Sequence, residues 1–259
     1  MHAQSGHRPE PRAPSLRSAP RVNDPSIVRR EYAREDRFLA RRLANAADLE
    51  GPLVEDVAIA AVAEAGPHRV VDVGCGTGDL TERLAREVGV TVVAVDLSPR
   101  MAELARGRGL PAINADIQRL PFPVGTFDAV LANRVLYHLP DLDVGLAELA
   151  RVVRPGGRLV AVVYRIDHLA ELWEVVGHQP LANPTFVAEN GGEPLRRHFD
   201  PVERRDVTGT AHFATAEAVR GFLGAYGEFS ETDLAAAAGH VPEPFTATYR
   251  HTVFVARRS

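Results

Sequence analysis

The residues best placed to do chemistry are a set of carboxylates and glycines in the first half of the sequence. Asp72 stands two positions ahead of Gly74, and glycine returns at positions 76 and 78, giving Asp72-Val73-Gly74-Cys75-Gly76-Thr77-Gly78. Glycine accepts positive φ and leaves neighbouring amides bare, so a ligand can lie against the backbone of such a bend. The next Val-rich run ends in Asp96, about where a nucleotide-binding βαβ unit places the carboxylate that accepts two ribose hydroxyls. A fold built for a dinucleotide wants its third glycine three positions after the second, whereas here the interval is two. Asp72 beside the bend is an awkward neighbour for a diphosphate and a tolerable one for a cation or an amine.

These residues resemble the motifs of class I S-adenosylmethionine-dependent methyltransferases. The glycine bend and the strand ending in Asp96-Leu97-Ser98 are followed in the family's order by Asn114-Ala115-Asp116-Ile117, Phe127-Asp128-Ala129-Val130 and Arg154-Pro155-Gly156-Gly157. The resemblance covers residues 53–164 well and the remainder in outline. It implies S-adenosyl-L-methionine as cofactor, S-adenosyl-L-homocysteine as product and no metal. Asp72, Gly74, Cys75 and Gly76 then lie at the bend, with Asp96 and Leu97 at the ribose. Adenine recognition needs an acceptor for the exocyclic amine and a donor for a ring nitrogen, roles the resemblance assigns to the Asp116 side chain and the Ile117 N–H. Met101 either fills core space or touches the adenine. Tyr32 either anchors an N-terminal helix or acts as a lid over the cofactor.

Asn133 and Arg134 open the loop Asn133-Arg134-Val135-Leu136-Tyr137-His138-Leu139-Pro140. In an open α/β sheet ligands bind beyond the strand ends where the winding reverses, so methyl delivery is expected here. The loop lacks the N-P-P-Y or D-P-P-Y run of many base and amide N-methyltransferases. His138 is a candidate base, since imidazole titrates near neutrality, or else a wall of the cofactor side. Tyr137, His168 and Trp173 are candidate acceptor contacts, the alternatives being a surface first-turn position for His168 and core for Trp173. A sulfonium-bound methyl is already electrophilic, so alignment and exclusion of water can suffice without a dedicated acid or base. The expected acceptor is an O, N or C nucleophile of a small molecule, a secondary metabolite or its precursor. Two other readings stay open: an S-adenosylmethionine-binding protein with a non-methylating role, and an NAD-linked oxidoreductase, which the glycine spacing disfavours.

The elements that must hold these residues follow from periodicity. Strands are expected at Val70–Val73, Val90–Val95, up to Ala115, Phe127–Ala132, Arg158–Tyr164, Val202–Val207 and Thr246–Arg257. Helices are expected at Ser26–Leu43, Leu53–Ala65, Leu80–Val88, Pro99–Arg106, from Asp141 or Asp143 through Val153, His168–Val176 with Asp167 as N-cap, and Thr215–Tyr226. The fold class is α/β, a Rossmann-like, mostly parallel seven-stranded sheet; the resemblance implies the order 3-2-1-4-5-7-6, with the seventh strand antiparallel. Residues 1–25 are expected to be a disordered tail and 26–259 one domain, with N-terminal helices over 26–66 and cap insertions over about 165–200 and 209–243.

Composition narrows the function classes. The chain has 259 residues, 45% of them hydrophobic, and a formal charge of −4, which gives no support to a nucleic-acid surface. All 30 basic residues are arginine, which excludes a P-loop lysine or a lysine Schiff base. Cys75 is the single cysteine, so an intrachain disulfide is impossible and its expected job is to be small and neutral in the turn. No apolar run approaches a membrane span. A cytoplasmic monomer or homodimer without nucleic-acid or membrane partners is expected.

Overall fold

Strand Arg69–Val73 shows why the centre of the molecule forms as it does. Four of its five residues are buried, and three of them are valine. A run that is apolar towards both faces suits the middle of a parallel sheet covered on each side by helices. The computed structural model describes residues 48–177, 185–224 and 230–259. The expected tail 1–25 and the expected helix carrying Tyr32 lie outside the described residues.

In chain order the elements are β1 (Leu49–Glu50), α1 (Val54–Ala63), β2 (Arg69–Val73), α2 (Asp79–Val88), β3 (Thr91–Asp96), α3 (Pro99–Gly107) and β4 (Ala112–Asn114). Next come β5 (Phe127–Asn133), a 3-10 turn at Leu136–His138, α4 (Leu142–Val152), β6 (Val153–Tyr164) and α5 (Ala170–Val175). The described chain closes with α6 (Gly192–Arg196), β7 (Val202–Phe213), α7 (Ala216–Gly224), α8 (Glu231–Ala238) and β8 (Phe245–Arg257). The sheet order is β1-β7-β8-β6-β5-β2-β3-β4. Apart from the two-residue β1 on the edge, this is the expected order. β8 is antiparallel to both its neighbours.

Local chemistry sets the boundaries. Ser98 caps α3 by accepting the Met101 amide, and proline occupies the first turn, where its missing N–H costs nothing. Asp141, one of two expected candidates, caps α4 by accepting the Val144 amide. Gly89 ends α2 in the left-handed conformation. Apolar side chains pack on both faces of the sheet, with Val70, Leu131, Val162 and Val253 on the α1 side and Val71, Val130, Leu159 and Phe254 on the α4 side.

Several expected boundaries move, each for a reason of pairing. β6 begins at Val153, five residues early, because Val153 pairs with Phe127 across a register shift. β7 runs on to Phe213, since β8 offers partners along its whole length, from Val202 opposite Ala256 to Phe213 opposite Phe245. Residues 209–213, at the start of the expected second cap insertion, are therefore sheet. Asp167 is not the N-cap of α5: Leu169 precedes that helix with φ +53°, and the Asp167 carboxylate is taken by Arg165 at 3.1 Å. His168 consequently lies outside the helix. Among the described residues, no helix is long and apolar enough to cross a membrane.

Candidate functional site

The bend between β2 and α2 is held in left-handed backbone at Gly74, Gly76 and Gly78, with φ of +69°, +55° and +83°. The amides of Gly74 and Cys75 both donate to the Val95 carbonyl, at 2.8 and 3.0 Å. At Gly74 the lack of a side chain has a second cause besides φ: a Cβ there would sit 2.7 Å from Val135 Cβ. The first glycine is thus required by packing against the loop after β5 as well as by any ligand. That loop contact could not be read from the spacing of the glycines.

Asp96 ends β3 with its carboxylate bridging two backbone amides, Gly76 at 2.9 Å and Ser98 at 2.8 Å. Burial raises its pKa to about 6, and these two amides oppose the rise. Asn114, which the sequence reading quoted within a motif without giving it a role, donates to the carbonyls of Asp96 and Leu97 at 2.9 and 2.8 Å. It clamps the turn that carries both residues. A cleft of about 340 Å³ opens here, lined by Leu97, Pro99, Asn114, Ala115 and Asp116. Asp116 is half-buried and accepts the Gln118 amide through Oδ1 at 2.9 Å, while Ile117 is buried beside it. Met101 is wholly buried. Its side chain has no surface on the cleft, which leaves it the core position of the two expected.

Asp72 is the most constrained of the carboxylates. It is 1% exposed; Thr81 donates to Oδ2 at 2.5 Å, and Oδ1 has no partner among the described residues. Burial raises its pKa to about 7, with the Thr81 hydroxyl opposing and the charge of Asp96 adding. Asn133 Oδ1 is likewise buried without a partner among the described residues. The two lie on the same sheet face, because Asp72 is opposite Leu131 and Asn133 stands two residues further along β5. Burial, together with Asp72 and Asp96, holds the Cys75 thiol well above its ordinary range, which suits an inert small side chain.

Arg134 has φ +53° and forms an ion pair with Glu55 of α1, while its amide donates to the Val162 carbonyl at 2.9 Å. This pairing across 79 residues fastens α1 over the strand ends. Tyr137 and His138 occupy the 3-10 turn, half-buried, with ring centroids 4.4 Å apart. Tyr137 also lies 5.9 Å from the ring of Tyr164. His168 is buried, and its Nδ1 accepts the Arg250 amide at 3.0 Å; burial lowers its pKa to about 3, so the ring is neutral. Trp173 is 7% exposed, donates to the His168 carbonyl at 3.0 Å and packs 6.3 Å from Phe222. It sits in the core cluster on the α1 side of the sheet. Tyr164 and His251, neither of which the motif reading singled out, adjoin His168 with ring distances of 4.8 and 4.6 Å.

The arrangement offers a cradle for a polar, partly cationic ligand: a left-handed glycine bend, a buried carboxylate oxygen without a partner among the described residues, a second carboxylate at the end of β3, and a cleft beyond it. Residues 71–161 match a family described as Methyltransferase domain. The chain is similar to Methyltransferase GfsG of Streptomyces halstedii, 42% identical over 100 residues that make up 36% of each protein. It is also similar to a demethylmenaquinone methyltransferase of Thermus thermophilus, 42% identical over 108 residues, 39% of this chain and 49% of that one. The match therefore spans about half or less of these relatives. The fold resembles the crystal structure of an S-adenosylmethionine-dependent methyltransferase of Thermotoga maritima, with TM-score 0.55 and 20% identity over 89% of this chain and 99% of that one.

Proposed function

We propose that this chain, whose residues 71–161 match the Methyltransferase domain family, is a class I S-adenosylmethionine-dependent methyltransferase that transfers the methyl group of S-adenosylmethionine to a nucleophile on a small molecule. The observation that carries this reading is the Oδ1 of Asp72, buried without a partner among the described residues, beside a glycine bend held in left-handed backbone. An ammonium group would complete that carboxylate, whereas the oxygens of a diphosphate would be repelled by it and by Asp96. Both relatives named above are methyltransferases, which supports the same reaction class.

S-adenosylmethionine, when bound, supplies an electrophilic methyl on a sulfonium. The chain's own residues bind and orient. Asp72 and Asn133 would receive the amino-acid end, Asp96 the ribose hydroxyls, and Asp116 with the Ile117 amide the adenine. Asn114 holds the Asp96–Leu97 turn in place. The strand ends and the loop from Arg134 to His138 shield the reacting region from water, and the Arg134–Glu55 pair keeps α1 over them. His138 remains the candidate to take a proton from the acceptor, and Tyr137 borders the same region.

Titration calorimetry tests this directly. S-adenosylhomocysteine is expected to bind and NAD is not; the reverse result would end the proposal. Asp96→Ala is expected to weaken S-adenosylhomocysteine by tenfold or more, as a lost hydrogen bond to a charged acceptor is typically ~1.5–3 kcal/mol. Unchanged affinity in that variant would remove the ribose assignment. Asn114→Ala should weaken the same ligand about fivefold with little change in melting temperature, since it acts only through the turn it clamps.

A further inference from the structure

The buried polar side-chain atoms without a partner among the described residues are Asp72 Oδ1, Asn133 Oδ1 and both ring nitrogens of His251. They fall on one line. Asn133 of β5 is opposite Val162 of β6, and Tyr164, two residues further on the same face, is opposite His251 of β8. Val162 and Val253 pack on the α1 side of the sheet, so Asp72, Asn133, Tyr164 and His251 share that face. Adjacent strands are ~4.8 Å apart, which puts His251 roughly 10 Å across the sheet from Asn133. Two of these residues belong to the proposed cofactor cradle. The third lies past it, in the direction in which a methyl acceptor must sit.

The surroundings of His251 are rings. Tyr164 is 5.0 Å away, His168 4.6 Å and Tyr249 5.7 Å, measured between centroids. Tyr164 is half-buried and reaches towards Tyr137, while His251 is 5% exposed behind it. The charged group that bears on His251 is Arg134. The nearby carboxylates are engaged: Glu55 with Arg134, Asp167 with Arg165 and Arg250, and Glu171 with Thr248 and Arg250. An ammonium would meet a guanidinium and neutral rings here. A neutral hydroxyl would find an unused imidazole nitrogen, and a flat body would find aromatic faces.

We propose that His251, together with Tyr164, forms the acceptor subsite of this chain and that it binds the hydroxyl of a flat, uncharged phenol or enol by accepting its O–H hydrogen. This rests on the methyl-transfer reading above and narrows it to hydroxyl acceptors. Leaving a buried imidazole unbonded is unfavourable, and the hydroxyl relieves that cost on binding. Burial and the neighbouring His168 and Arg134 keep the ring uncharged, which preserves the acceptor nitrogen.

The test uses 2-naphthol as the probe and 2-naphthylmethylamine as its cationic counterpart, each added to the ¹⁵N-histidine-labelled protein with and without S-adenosylhomocysteine. The His251 resonances are identified by their loss in His251→Phe. The expected result is a shift of the His251 nitrogens with 2-naphthol and about tenfold weaker binding of the amine. His251→Phe should lower naphthol affinity about tenfold, leave S-adenosylhomocysteine affinity within about twofold and not lower the melting temperature, because an unbonded polar group is replaced by an apolar ring of similar size. His251→Gln should recover part of the naphthol affinity. Naphthol binding without a His251 shift, undiminished naphthol binding by His251→Phe, or tighter binding of the amine would each overturn the proposal while S-adenosylhomocysteine still binds. Failure of S-adenosylhomocysteine itself to bind would instead remove the reading on which it rests. Should His251→Phe not fold, the shift in the unsubstituted protein, assigned through His251→Gln, decides the matter.

Discussion

Asp72→Asn is expected to make the ligand-free protein more stable at pH 8 and a far poorer binder of S-adenosylhomocysteine. The carboxyl titrates near 3.8 when unfolded and at about 7 in the fold, so between those values the folded chain holds a proton that the unfolded chain has released. Stabilisation from that proton is complete below pH 3.8 and is lost as the pH rises through about 7. At pH 8 the fold carries a buried charge with one oxygen unpaired. Asparagine keeps the Thr81 hydrogen bond and cannot ionise, so the melting temperature at pH 8 should rise by ~5 °C or more, with a smaller rise at pH 5 and little change only below about pH 4. Removing the charge that would meet the ligand's ammonium should weaken S-adenosylhomocysteine about a hundredfold at pH 8. For the unsubstituted protein the affinity should fall towards tenfold per unit below pH 7, and binding near neutrality should release a proton, detectable as a calorimetric heat that depends on the buffer. A lower melting temperature for Asp72→Asn at pH 8, or a pH-independent affinity, would contradict this account of the residue.

Gly74→Ala is the second substitution with a large expected effect, and it separates two causes. Alanine at φ +69° is strained by ~1 kcal/mol or more. Its Cβ would also drive into Val135, whose Cβ is 2.7 Å from the added atom. The loop carrying Val135 must move or the bend must open. A loss of ~3 kcal/mol in denaturant unfolding is expected, with S-adenosylhomocysteine binding reduced beyond detection, because the displaced groups frame the cradle. Val135→Ala in the same chain should return ~1–2 kcal/mol of stability, the steric part, and leave the conformational part in place. Additive effects of the two changes would show that Val135 is not what the alanine meets.

How much of this was legible beforehand depends on how far apart in sequence the partners lie. The bend, Asp96 and the parallel strands follow from local spacing and from valine runs that must be buried on both faces. Asp141 capping α4 and Ser98 capping α3 are three-residue relations and could be read directly. The role of Asn114 could not, because its partners are carbonyls of a turn 17 and 18 residues earlier. Arg134 reads as a cofactor contact on motif grounds, yet it is engaged by Glu55 from 79 residues away. His251 was visible as one face of an alternating strand beside Tyr249 and Val253. Its meaning emerged only when pairing set it against Tyr164 and left both nitrogens without donors or acceptors. The helix start expected at Asp167 was not legible either: the left-handed Leu169 delays the helix, leaving His168 buried beside Tyr164 and His251 and Trp173 buried against Phe222.

β8 is inserted between β6 and β7 and pairs with both, although among the described strands it is the last to leave the ribosome. Until it emerges, β7 has no neighbour linking it to the rest of the sheet, and a half-made chain presents two long unpaired edges. Such an order of synthesis makes closure of the sheet a late, non-local event with a high contact order. A premature stop between Phe213 and Phe245 would leave β7 without β8 and expose its backbone for pairing with other nascent chains. Aggregation during expression, more than slow chemistry, is the failure that truncated forms should display.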